Sequence, residues 1–153
     1  MKLYCDEMLI RLGHWLRAAG HDTKIAANGC SDRQILQQSL AEQRKLITRD
    51  RKLKEFRDAR DIVVLLDCKL LQDCIVEVTW RLQVDWLYRP FSRCLVCNTP
   101  LLPATVEQIT HLNAALKKTV NNIYYCASCE QLFWEGSHVR RMRARLLEFN
   151  RYK

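Results

Sequence analysis

The chain has 153 residues, 48% hydrophobic and 27% charged, with only 4 glycines and 3 prolines. That length allows one ordinary domain, or a compact domain plus a small module, and the composition excludes disordered, collagen-like and low-complexity chains. The net charge is +8, from 25 Lys+Arg against 17 Asp+Glu. The longest uncharged apolar run, Ile62–Leu66, falls far short of the roughly 20 residues of a membrane helix. An acid, Asp6, stands where a secretion signal would carry its apolar core. The expectation is a cytoplasmic protein without a membrane span, whose thiols stay reduced. In that setting its 8 cysteines point to metal rather than to disulfides.

The elements alternate in chain order. Lys2–Cys5 reads as a short strand. Leu9, Leu12, Leu16 and Ala19 recur at helical spacing, and Gly20 stops that helix. Asp22–Ala26 is the second strand. Ser31 through Gln34 reads as a capping box, opening a helix that carries Ile35, Leu36 and Leu40. Lys45–Thr48 is the third strand, followed by a helical stretch to about Asp58. Ile62–Leu66 is the fourth strand, and Lys69–Gln83 a helix. This alternation predicts an α/β fold, a parallel sheet flanked by helices. Near Pro90 the pattern breaks. Residues 1–87 carry 15 Lys+Arg and 13 Asp+Glu, whereas 88–153 carry 10 and 4, so most of the positive excess lies in the second part. The predicted division is 1–87 and 88–153.

In open α/β sheets, ligands bind beyond the carboxyl ends of the strands. Asp6 follows strand one, Asp32 opens the helix after strand two, Asp50 lies just past strand three, and Asp67 follows strand four. A parallel sheet brings all four to one edge. Clustered carboxylates repel one another unless a cation neutralises them. Mg²⁺ or Mn²⁺ suits such oxygen ligands and can promote phosphodiester hydrolysis. A capping role competes at each position, with Asp67 the plainest cap.

Cys94-Leu-Val-Cys97 and Cys126-Ala-Ser-Cys129 are two CxxC knuckles. Four thiolates so paired make a closed, structural tetrahedral zinc site. The 28 residues between the pairs leave room for an element such as a helix over Glu107–Lys118. Tyr124–Tyr125 and Leu132–Trp134 read as a hairpin, giving a zinc ribbon. A thioredoxin-like redox pair is the alternative, but it needs one CxxC in a βαβ unit. Cys5, Cys30, Cys68 and Cys74 read as singletons without function. Ser137 is placed as the cap of a last helix whose stripe is Val139, Met142, Leu146 and Phe149. Arg140, Arg141, Arg143 and Arg145 lie mostly off that stripe and could track a phosphate backbone. Trp134 and its neighbouring aromatics could stack on bases, and His138 could contact phosphate.

Several of these segments together resemble a known family. Asp6-Glu7-Met8-Leu9, Leu12, Trp15-Leu16-Arg17, Gly20 and Asp22-Thr23 look like the opening motif of the Mut-seven C-terminal RNase domain family. Ser31-Asp32 with Ile35-Leu36, then Leu46-Ile47-Thr48-Arg49-Asp50, resemble its second and third motifs. Ser92-Arg93-Cys94-x-x-Cys97-Asn98, Cys126-x-x-Cys129 and Trp134-x-Gly136-Ser137-His138 resemble its zinc ribbon. The resemblance spans essentially the whole chain.

It implies a PIN-like nuclease domain followed by a zinc ribbon with a C-terminal helix, and a metal-dependent ribonuclease acting on RNA. It implies Asp6, Asp32 and Asp50 as the catalytic, Mg²⁺- or Mn²⁺-holding acids, and Thr48 as the hydroxyl of a threonine-x-aspartate signature. It implies Arg17 and Arg49 as contacts to the scissile phosphate. Lys52 stands where such proteins often carry a further acid, and Glu7 where a small residue is expected. Glu7 or Asp67 would then supply the missing carboxylate. The rival expectation is a non-catalytic RNA-binding module on a degenerate PIN-like fold. A protein-docking ribbon is the third.

Overall fold

Alternation of side chains along four short strands builds two cores, one on each face of a sheet. The computed structural model describes residues 1–56, 59–110 and 122–153. Strands β1 (Lys2–Cys5), β2 (Asp22–Ile25), β3 (Lys45–Thr48) and β4 (Val63–Leu65) pair in parallel in the order β2-β1-β3-β4. Successive side chains of a strand point to opposite faces. Accordingly Leu3, Cys5 and Ile47 lie in one buried cluster, and Tyr4, Leu46 and Val63 in the other.

Helices cover both faces. Helix α1 (Ile10–Ala18) and α3 (Leu71–Leu82) bring Leu12, Leu16, Ile75 and Val78 to the first cluster, and α2 (Asp32–Ala41) brings Ile35 and Leu36 to the second. Gly20 ends α1 with φ of 93°, and a Cβ there would lie 2.3 Å from the carbonyl oxygen of Arg89. Only glycine allows that crossing. The crossing segment is held by the Arg89 N–H on Ala19 O (3.0 Å) and the Phe91 N–H on Ala18 O (2.8 Å).

Beyond Pro90 a three-stranded antiparallel sheet forms from β5 (Leu102–Pro103), β6 (Tyr124–Cys126) and β7 (Gln131–Phe133), in that order. Helix α4 (Val106–Ile109) follows β5 and is capped by Thr105. The last helix, α5 (Ser137–Phe149), returns to the first sheet. Its Leu146 and Phe149 are fully buried in the cluster that contains Leu3 and Trp86. Phe149 meets Trp86 and Trp15 edge-on, with ring centroids 5.3 and 5.0 Å apart.

Several expectations shift. The helical stretch after β3 is a 3₁₀ turn, Arg51–Glu55. Of the helix expected over Glu107–Lys118, residues 111–118 lie outside the described residues, as do residues 57 and 58. Ser137 is the first residue of α5, and the backbone of Gly136 holds the cap position. Asp67 does not cap α3, because that helix starts only at Leu71. Cys68 and Cys74, read as singletons, are joined by a disulfide with Cα atoms 5.0 Å apart. The turn into α3 folds back to place them there, within the spacing a disulfide requires. No helix among the described residues is long and apolar enough to cross a membrane.

Candidate active site and metal centre

The carboxyl edge of the parallel sheet gathers Asp6, Thr48, Arg49 and Asp50 around one hydroxyl and one carboxylate. Asp6 is 5% exposed. Its Oδ2 accepts the Thr48 hydroxyl and the Arg49 backbone N–H, the latter at 3.2 Å. The same Thr48 oxygen accepts the Asp50 N–H at 2.9 Å. Strand β3 sets this geometry. Thr48 is its last residue, β-branched and fully buried, and it sits beside the end of β1. Burial pushes the Asp6 carboxyl above its ordinary range, against the Thr48 and Arg49 hydrogen bonds, which favour the charged form. Its other oxygen, Oδ1, is buried without a hydrogen-bond partner. A buried carboxylate oxygen so placed calls for a cation or an ordered water.

The remaining acids are more open. Asp50 Oδ1 accepts the Lys52 N–H at 2.9 Å and so caps the 3₁₀ turn. Asp32 is the first residue of α2, behind a complete capping box of Ser31 and Gln34. Glu7 is exposed in the turn after β1. The Asp67 side chain is 90% exposed, 3.8 Å from Arg51. Asp6, Asp32, Asp50, Glu7 and Asp67 do not supply three oxygens within 4.8 Å of one another. The edge is acidic but not drawn in to a single-ion cage.

The four knuckle cysteines are. Cys94, Cys97, Cys126 and Cys129 place their sulfurs within 4.8 Å of one another, and they are the one such group among the described residues. Sγ of Cys94 and Cys129 are 3.8 Å apart, and those of Cys97 and Cys126 3.3 Å. A tetrahedron with Zn–S bonds of about 2.3 Å has sulfurs about 3.8 Å apart. Four thiols, two of them on buried cysteines, fit zinc. The group could hold that ion with no position left open.

Arg17 stands apart from the acidic edge. The resemblance implied a phosphate contact, but Arg17 is 5% exposed. Its Nε donates to Thr23 O at 2.8 Å, and its Nη1 to Leu95 O and Val96 O, both at 2.8 Å. The guanidinium therefore clamps the first knuckle to α1 and β2. Asn98 completes the clamp. Its Oδ1 accepts the Thr23 N–H at 3.0 Å, and its Nδ2 donates to Asp22 Oδ1 at 2.7 Å. In the sequence Asn98 is one letter of the Cys94-x-x-Cys97-Asn98 motif. Its place directly after the second knuckle cysteine was the available signal.

Arg49 does lie at the acidic edge, with Nη1 on Cys68 O at 3.2 Å. The basic face of α5 is divided. Arg143 pairs with Glu135 at 3.2 Å and lies over the Phe91 ring, and Arg145 pairs with Glu148 at 2.7 Å. Arg140, Arg141 and His138 are exposed, and Trp134 is half-buried.

No curated protein and no solved structure matches the chain significantly. The family model of the Mut7-C RNAse domain matches residues 1–146. A parallel sheet with acids at its carboxyl edge and a four-cysteine cluster thus stand within that match, and the chain belongs to the Mut7-C RNAse domain family.

Proposed function

We propose that the protein is a metal-dependent ribonuclease with a PIN-like site at the carboxyl edge of its parallel sheet and a zinc ribbon that helps hold RNA. The observation that carries this reading is the Thr48 hydroxyl, which ties Asp6 to the Asp50 backbone and leaves Asp6 Oδ1 without a protein partner. Asp6, Asp50 and Asp32 would hold Mg²⁺ or Mn²⁺. Mg²⁺ keeps several waters, so acids standing further apart than a single cage can share ions through them. Such ions, when bound, supply Lewis-acid stabilisation of the phosphodiester and a more acidic water.

The chain's own residues do the rest. Asp6 is fixed by Thr48 and the Arg49 N–H, so its free oxygen points one way. Arg49 adds positive charge beside the phosphate. Arg140, Arg141 and the aromatics around Trp134 offer a surface for the strand. Attack by water leaves a 5′-phosphate and a 3′-hydroxyl. The test is the chemistry of product ends after incubation of RNA with Mn²⁺: 5′-phosphate ends support the reading, and 2′,3′-cyclic phosphates reject it.

One observation favours a second reading, a non-catalytic RNA-binding module. Asp50 is engaged as a cap by the Lys52 N–H. That reading expects salt-sensitive RNA binding, indifferent to Mg²⁺, and no cleavage.

A further inference from the structure

A cavity of about 130 Å³ opens beside the acidic edge. Its wall carries three cations, Arg11, Arg49 and Lys69, and no carboxylate; the remaining lining is Met8, Leu9, Leu12, Leu71 and Cys74. Low-dielectric walls focus the field of such cations into the space they enclose.

Arg49 is only partly satisfied: its Nη1 donates to Cys68 O at 3.2 Å. Arg49 Nε is buried without a hydrogen-bond acceptor. Arg11 and Lys69 form no ion pair among the described residues. Among the described residues the two buried cations are paired: Arg17 on backbone carbonyls, and Arg44 on Asp22 at 2.8 Å and on Glu42 at 2.7 Å. A buried guanidinium N–H left unpaired is costly, and an anion would satisfy it.

We propose that this cavity is a pocket for a terminal phosphate of RNA. The inference rests on the ribonuclease reading for its choice of RNA. Size argues for a bare phosphate, because pockets for larger organic groups start near roughly 300 Å³. Charge argues for a chain end. A phosphate monoester carries about −1.5 to −2 at pH 7, with three acceptor oxygens, whereas an internal diester carries a single charge. Three cations lining one small space match the former better. Asp6 does not line the cavity but is tied to one of its residues, accepting the Arg49 backbone N–H at 3.2 Å. The pocket therefore sets the RNA end beside the acids, and cleavage falls near that end.

The experiment is binding, read by fluorescence anisotropy on the full chain with zinc and without Mg²⁺ or Mn²⁺. One single-stranded sequence is compared with a 5′-phosphate, with a 3′-phosphate, and with hydroxyls at both ends. One phosphorylated form should bind about tenfold tighter, the size of one charge-assisted hydrogen bond, and which form does so identifies the end. The double variant Arg11→Gln/Lys69→Gln, both positions being exposed, should erase that preference and keep the melting temperature. Equal binding of all three oligonucleotides, or a preference that survives the double variant, overturns the pocket. Cleavage plays no part in this readout, so a failed ribonuclease reading and a failed pocket give different results.

Discussion

Thr48 donates its hydroxyl hydrogen to Asp6 across the β1–β3 pair, and the same oxygen receives the Asp50 N–H at 2.9 Å. One side chain thus orients one acid and anchors the backbone of another. Thr48→Val keeps the shape and removes both bonds. It leaves a buried carboxylate short of a donor, which costs about 2 kcal/mol. Denaturant unfolding should show that loss, and RNA cleavage should fall at least tenfold. Thr48→Ser should restore most of both.

Arg17 is a clamp, and its variants separate that role from RNA contact. Arg17→Ala strands the carbonyls of Thr23, Leu95 and Val96, and should cost about 3 kcal/mol. Arg17→Lys cannot reproduce the fork and should rescue little. In the protein that remains folded, the salt slope of RNA binding should be unchanged. A slope reduced by about one would mean a phosphate contact.

The cysteine group should bind one zinc ion per chain, measured by elemental mass spectrometry of purified protein. Cys94→Ser should lose the metal and, with it, the antiparallel sheet, because a structural site contributes its binding energy to folding. Since Arg17 and Asn98 tie the first knuckle to β2, the parallel sheet should also become less stable.

Acid should loosen the same junction. The Asp22 carboxyl is held below its ordinary range: burial works against this, and hydrogen bonds from Arg44 and Asn98 outweigh it. A folded-state value below the unfolded one contributes stability that is complete above the unfolded value near 3.8. That stability is lost as pH falls through the folded value. Urea midpoints of wild type and Asp22→Asn should therefore differ at pH 7 and converge on acidification below about 4.

The Cys68–Cys74 disulfide closes a loop of sequence separation 6. Chain entropy alone gives about 2 kcal/mol for a loop that short. Reduction of the folded protein by a dithiol should lower its stability by about that amount, and Cys68→Ser/Cys74→Ser should match the reduced wild type.

Much of the parallel sheet was legible because its strands are short apolar runs between clear stops: Lys45–Thr48 was placed to the residue, and Ser31 and Gln34 announced α2. The two knuckles were legible for the same reason, since CxxC spacing fixes local geometry. Partnerships between distant residues were not. Arg17 looked like a phosphate contact because a motif letter says nothing of burial. Cys68 and Cys74 looked single because their pairing depends on where α3 begins. That start moved from Lys69 to Leu71, and Asp67 lost its cap role with it. The spread of the acids was equally hidden, because strand order brings them to one edge without fixing their distances.

The most direct measurement is cleavage of end-labelled, partly structured RNA by wild type and by Asp6→Asn. Each is assayed with Mn²⁺, with Mg²⁺ and without divalent metal, with circular dichroism showing that the variant is folded. The account predicts metal-dependent cutting by wild type and its loss by at least a hundredfold in Asp6→Asn, since removing a group that stabilises the transition state costs about that much. Equal cutting by the folded variant, or cutting indifferent to metal, would contradict it.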